Sequence, residues 1–194
     1  RRSSDLTPIM RDAPPIREAF VESLDHEGRG VSRVDGKTIF IEGALPGERV
    51  SFASYKVKPN YEQAEVVRVL EASSQRVAPA CEYFGVCGGC SMQHLEPSAQ
   101  VAAKQRVLEN ALWHIGRARP DVLYPAIVGP AWGYRYRARL SVRQVPSKGG
   151  ILIGFHERRS SYVAPMESCA ILPPHVSAMV PRLRALISGI RQTA

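Results

Sequence analysis

The 194-residue chain is poor in cysteine, poor in acidic residues over its second half, and without any long apolar run. Each shortage excludes something. No stretch approaches the roughly 18 to 20 consecutive apolar residues that cross a bilayer, so no membrane-spanning helix is predicted. No signal-peptide pattern opens the sequence, and four cysteines are few for a disulfide-stapled scaffold of this length, so a cytoplasmic setting is expected. If all four cysteines serve one site, no thiol is left to act as a nucleophile.

The acidic shortage is local. Up to Gly116 the chain holds 14 basic and 15 acidic residues; from Arg117 onward it holds 12 basic and only 3 acidic ones. The net charge of +8 therefore comes from the second part, where it can form a field attractive to polyanions. Arginine supplies 21 of the 26 basic residues, and its planar fork suits phosphate better than lysine does.

What is present is most informative at the cysteines, spaced Cys81-x5-Cys87-x2-Cys90 with Cys169 far downstream. Three thiols in a short loop, with Gly85, Gly88 and Gly89 between them, suit a chain wrapped around a compact centre. A tight run of three plus a distant fourth is a common iron–sulfur ligand set. Other uses compete. Two disulfides would need an oxidising compartment. A structural zinc usually takes two short Cys-x2–4-Cys pairs. A redox dithiol at Cys87-Gly88-Gly89-Cys90 would want a strand before it and a helix directly after it. An iron–sulfur centre is the favoured reading, with zinc next.

Polar residues 1–15, ending in Pro14-Pro15, read as a disordered arm. Residues 16–72 read as five short strands: Ala19–Leu24, Val31–Val34, 37–41, Arg49–Tyr55 and Tyr61–Leu70. Asp35-Gly36 makes a two-residue hairpin turn. Strands this short and close predict a small closed barrel of the OB kind. Residues 73–80 read as a linker, and 81–194 as a second domain. There, 97–115 is predicted helical, with Pro97 in the first turn, Gly116 at the C-terminal cap, and Val101, Leu108, Leu112 and Ile115 facing a core.

The stretch Tyr134–Val145 alternates apolar residues and arginines, which on a strand puts Arg135, Arg137, Arg139 and Arg143 on one face. With a turn at 146–150, a return at 151–156 and a further strand at 162–165, this predicts an antiparallel meander. A row of arginines with no nearby acids favours phosphate contact. Near the C-terminus, Val176, Met179, Val180, Leu183, Leu186, Ile187 and Ile190 keep a helical period, with Pro181 kinking or restarting the helix. The apolar face of that helix is expected to dock on a further domain.

Together, Cys-x5-Cys-Gly-Gly-Cys-x2-Gln-His at 81–94, the helix carrying Gln100, Lys104 and Gln105, Trp132-Gly133-Tyr134-Arg135-x-Arg137-Ala138-Arg139-Leu140, Gly154-Phe155 and the late Cys169-x-Ile171-Leu172 resemble the RNA uracil-5-methyltransferases. The region ahead resembles a TRAM domain, with Gly28-x-Gly30, Asp35-Gly36-Lys37 and Leu45-Pro46-Gly47 in the expected order. The resemblance implies a mainly β chain: an OB-like TRAM barrel, then a small α+β iron–sulfur domain. It implies that Cys81, Cys87, Cys90 and Cys169 ligate one [4Fe–4S] cluster, and that Arg139 lies near the target uridine. Relatives acting on transfer RNA are expected to lack barrel and cluster, so the domain order implies 23S ribosomal RNA as partner, bound by a monomer.

The family's reaction also needs S-adenosylmethionine and a cysteine that adds to C6 of uracil. The sequence offers no fifth cysteine and no glycine-rich strand–turn–helix, so the Rossmann-like catalytic domain is expected to be absent and the chain inactive alone. Two readings from other classes remain open: a stand-alone RNA-binding module with a structural zinc, and a small electron-transfer protein.

Overall fold

Six short strands form the first part of the computed structural model: β1 (Ile16–Phe20), β2 (Ser23–Leu24), β3 (Gly30–Val34), β4 (Lys37–Glu42), β5 (Arg49–Val57) and β6 (Tyr61–Glu71). The structure describes residues 14–148 and 150–192; most of the expected disordered arm, residues 1–13, lies outside the described residues, as does Gly149 of the predicted turn. The strands hydrogen-bond in the order β1-β5-β6-β4-β3-β2, antiparallel throughout except for the parallel pair β4–β6.

The single strand expected over 19–24 is two, because the chain switches partners at Val21–Glu22. Val21 N donates to Glu48 O at 2.9 Å and Glu22 N to Val31 O at 2.8 Å. With Ser32 Oγ donating to Phe20 O at 2.7 Å, the two ends of the sheet meet here and close into a barrel. Asp35 and Gly36 both take positive φ, 50° and 78°, the geometry of the hairpin turn their sequence predicts. The barrel core is Ile39, Ile41, Val50, Phe52 and Ala64, all fully buried. Burying each of the larger of these side chains contributes about 1.5–3 kcal/mol.

Residues 73–80 are not a free linker. Arg76 bridges antiparallel to Leu95, Val77 N donates to His94 O at 3.0 Å, and Glu96 N donates to Gln75 O at 3.0 Å. Leu45, Leu95 and Ala99 bury a small second core, with Leu24, Met92 and Ala103 against it, and this core fixes the barrel to residues 92–103.

Helix α1 (Pro97–Asn110) begins at Pro97, as expected, with the Glu96 carboxylate accepting from Ala99 N. Its last turn widens to a π-helix over Ala111–Ile115, before Gly116. The expectation that Val101, Leu108, Leu112 and Ile115 face a core is corrected. Only Ala99 is fully buried on α1; Val101 and Leu112 are half-buried, and Leu108 and Ile115 are exposed. The helix is anchored through its first turns to Leu45 and Leu95, while Leu108 and Ile115 toward its far end are exposed.

The meander is reduced to a hairpin, β7 (Ser141–Val145) with β8 (Gly150–Gly154). Its third strand shrinks to one bridge, His156–Val163. The strand predicted from Tyr134 starts only at Ser141, because 134–140 has no ladder partner. That segment is held instead to the stretch after Cys169, by Gly133 N donating to Ala170 O and Arg135 N to Ile171 O, at 3.1 and 2.8 Å. Gly154 is required by close approach: a Cβ there would lie 2.2 Å from Ala164 O. Helix α2 (Pro174–Ser177) ends at Ala178, and α3 (Met179–Gln192) restarts with Pro181 in its first turn, as expected. Val180 and Ile187 of α3 pack on Ile151 and Ile153 of β8.

Candidate metal centre and nucleic-acid interface

The loop 81–90 is built from tight turns. Phe84 N donates to Cys81 O, Cys87 N to Tyr83 O, and Gly88 N to His156 O, all at 2.8–3.0 Å. These bonds bring three cysteines against Phe155 and Met166, and the turn at 169–172 delivers the fourth. Cys81, Cys87, Cys90 and Cys169 line one cavity, walled by Tyr83, Phe84, Phe155, Met166 and Ile171 and by no carboxylate or imidazole. Cys87 and Cys169 are buried; Cys81 and Cys90 are half-buried. Gly89 N donates to Cys87 Sγ at 3.4 Å, and Cys169 N is held by Ser177 Oγ at 2.8 Å.

Burial pushes the Cys87 thiol above its ordinary range; the Gly89 N–H opposes this, and the three neighbouring thiols add to it. Burial also raises Cys90, opposed by a bond to Gln93 and reinforced by Cys169 and Cys81, while the Arg135 guanidinium draws it down. Among the described residues no group of three or more His, Cys, Asp or Glu is arranged to hold a metal ion. The donor set is nevertheless all thiol around an apolar hollow, which is the chemistry that iron–sulfur clusters use.

Arg158, from the basic turn after β8, ties this loop to the barrel. Its backbone N donates to Val86 O at 2.8 Å, Nη2 donates to Cys90 O at 2.6 Å, and Nη1 lies 3.5 Å from Glu42 of β4. Arg159 beside it pairs with Glu65 at 2.5 Å and stacks on Tyr55. Between the barrel rim and the cysteine loop lies a cleft of about 710 Å³, which Arg135 and Arg139 line together with Gly28, Gly88 and the Ser141–His156 pair, whose Oγ and Nε2 are 3.0 Å apart.

The four predicted arginines are not equally exposed. Arg137, Arg139 and Arg143 are exposed. Arg135 is half-buried, stacked on Phe155 with 4.8 Å to the ring centroid. Tyr134 and Tyr136, expected on an apolar face, are exposed with Trp132 beside them.

Sequence reasoning missed three residues at this junction. Glu48 is fully buried and bonded to Arg76, Leu45 N and Ser73 N. Arg158 is hidden in a short basic turn. His94 is buried against Phe84 (5.3 Å between ring centroids) with neither nitrogen hydrogen-bonded. No local pattern announces Glu48 or Arg158, because each is defined by partners distant in sequence; His94 closes the cysteine motif, which does not tell of its burial.

The family model of the TRAM domain matches residues 16–67. The 23S rRNA (uracil(1939)-C(5))-methyltransferase RlmD of Aromatoleum aromaticum is 66% identical over 172 residues, which cover 89% of this chain and 40% of the relative. The enzyme of the same name from Burkholderia cenocepacia is 56% identical over 195 residues, 97% of this chain and 42% of that one. The chain thus spans about two fifths of the length of the curated relatives it matches.

Among solved structures, the Pyrococcus abyssi tRNA (uracil-54, C5)-methyltransferase in complex with S-adenosyl-L-homocysteine superposes with a TM-score of 0.58 at 22% identity, over 90% of this chain and 37% of that one, a likeness of fold. The fold likeness extends to a transfer-RNA relative, which corrects the expectation that such relatives lack the barrel; it does not bear on the cluster. Over the portion it spans, this chain matches the RlmD enzymes of the RNA uracil-C5-methyltransferase family in sequence and carries a TRAM domain.

Proposed function

We propose that this chain is the RNA-recognition and [4Fe–4S]-bearing portion of an S-adenosylmethionine-dependent enzyme that forms 5-methyluridine in 23S rRNA. Residues 16–72 serve as the barrel, 73–80 as a tethered connector, and 81 onward as the cluster and RNA-contacting domain. The observation that carries this reading is the convergence of Cys81, Cys87, Cys90 and Cys169 on one apolar cavity directly beside the cleft that Arg135 and Arg139 line.

In this reading the cluster supplies structural cross-linking of the loop when bound. The chain's own residues do the rest. Exposed Arg137, Arg139 and Arg143 take RNA phosphates, and the barrel rim forms the opposite wall of the cleft. Arg158 holds barrel and cysteine loop in register. With all four thiols committed to the cluster, the nucleophile for C6 and the binding site for S-adenosylmethionine belong to other residues of the whole enzyme. A monomeric, cytoplasmic protein fits such a role; among the described residues no helix is long and apolar enough to cross a membrane.

Anaerobic purification tests the reading, with an ultraviolet–visible spectrum and iron, sulfide and zinc analysis. About four iron and four sulfide per chain, with broad absorbance near 400 nm (roughly the sulfur-to-iron charge-transfer region), is the expected result. A colourless protein with about one zinc would replace the cluster with a structural zinc. Incubation with labelled S-adenosylmethionine and 23S rRNA should give no methylation by this chain alone.

A further inference from the structure

Arg135 belongs to the arginine row in sequence but is half-buried where Arg137, Arg139 and Arg143 are exposed. Its backbone N is clamped to Ile171 O at 2.8 Å, two residues after Cys169. Its guanidinium lies over the Phe155 ring, 4.8 Å from the centroid, and Phe155 is itself a wall of the four-cysteine cavity. Nε donates to Arg137 O at 3.3 Å, which fixes the head group's orientation. Arg135 and Cys90 both line the cleft beside that cavity. Arg137, Arg139 and Arg143 are all exposed, although Arg139 also lines the cleft.

We propose that Arg135 is a positioning residue of the four-cysteine centre, a fixed cation that balances negative charge on its Cys90 side, and is not a phosphate contact. The inference rests on the iron–sulfur reading of the cysteines. Four thiolates around a cluster carry net negative charge in a hollow with few other compensating groups. Groups just beyond the ligands set both the stability and the potential of such a centre. A cation there favours the more negative, reduced state, so removing it makes reduction harder. The same arginine lines the cleft, so the centre's charge is screened from any phosphate held by Arg139.

The test compares the parent chain with Arg135→Gln and Arg135→Lys, all purified anaerobically. Iron and sulfide content, the midpoint potential (an electrode supplying the electron) and the salt dependence of binding to a single-stranded RNA oligonucleotide are measured on each. Arg135→Gln should lower the potential, changing the oxidised-to-reduced ratio at a fixed potential by about tenfold, ~59 mV for a one-electron couple. Arg135→Lys should restore most of it, and the slope of RNA affinity against salt should be the same in all three. Should the centre fail to load in Arg135→Gln but load in Arg135→Lys, the charge is again what matters, and the proposal stands.

An unchanged potential with a salt slope reduced by about one would make Arg135 a phosphate contact and overturn the proposal. Loss of the centre in both variants would also overturn it, since stacking on Phe155 and not charge would then carry the effect. A parent chain without iron or sulfide removes the iron–sulfur reading and the proposal together, and metal content alone distinguishes that case.

Discussion

Arg76 grips the fully buried carboxylate of Glu48 with two bonds, Nε to Oε1 at 2.5 Å and Nη2 to Oε2 at 2.7 Å, while a second Nη2 bond reaches Gly43 O at 2.6 Å. The pair welds the segment after the barrel onto the turn between β4 and β5. Removing one partner of a buried pair leaves the other charge uncompensated, which costs about 3–5 kcal/mol. Arg76→Ala should therefore lower the melting temperature far more than Arg49→Ala, whose guanidinium is exposed. Equal melting temperatures for the two variants would show that the pair is not a structural joint.

The same carboxylate sets an acid limit. Burial alone would raise the Glu48 pKa; the bonds from Arg76, Leu45 N and Ser73 N outweigh it and hold the group below the usual carboxylate range. A depressed folded pKa means the contribution is complete above the unfolded value of about 4.3 and is lost as pH falls through the folded one. Glu48→Gln should accordingly flatten the stability curve below about pH 4.3, as read by denaturant titrations at several pH values.

His94 acts in a higher window. Burial, then the Arg76 charge, lower its pKa from 6.5 to about 4, with the Glu48 charge opposing and Arg158 adding to the fall. The unfolded chain takes up the proton first, so stability is complete above about pH 6.5 and falls as pH drops toward 4, by on the order of 3 kcal/mol. His94→Leu should remove the part of that slope lying between about pH 7 and 5. At neutral pH it should leave stability equal or higher, since two buried unpartnered nitrogens disappear. A slope that persists in the variant would place the titrating group elsewhere.

Charge reversal at exposed arginines should separate RNA contacts from bystanders. Arg137→Glu and Arg139→Glu are expected to weaken RNA binding and flatten its salt dependence, each lost phosphate contact removing about 0.7–0.9 of the log–log slope. The cluster spectrum should be unchanged, because neither side chain lines the cysteine cavity. Filter-binding titrations across a salt series read both quantities, and an unaltered slope would exclude these residues from the interface.

A methyl group at position 154 should be poorly tolerated. With Ala164 O 2.2 Å from where its Cβ would stand, Gly154→Ala has to part β8 from the 163–166 segment, at about 1–3 kcal/mol or more. Because Met166 of that segment is a wall of the cysteine cavity, the variant should also lose iron and sulfide on purification. Full metal content at unchanged melting temperature would mean the segment yields more readily than its packing indicates.

The barrel was legible because its information is local. Alternation marks its strands, and Asp35-Gly36 spells out a turn that only residues tolerant of positive φ can make. The cysteine spacing likewise marked residues that come together, since all four line one cavity. Alternation over 134–140 misled, since it states what a strand would do with a neighbour, and no neighbour pairs there. The apolar stripe of α1 misled for the same reason. Arg135 could not be told from Arg137 and Arg139 by counting residues; the backbone clamp to Ile171 separates them. Glu48 and Arg76, 28 residues apart, carry no joint signal in the sequence at all.

The parallel pairing of β4 with β6 also dictates the order in which the barrel can form. The β3–β4 hairpin is the main contiguous piece early in the chain, and a lone hairpin is marginal in water. β1 has no ladder until β5 exists, and β5 and β4 are joined only through β6. On a growing polypeptide, residues 16–60 therefore emerge with their apolar strands unsheltered. The barrel is then gained in one late step when Tyr61–Glu71 arrives, a kinetic bottleneck written into strand order.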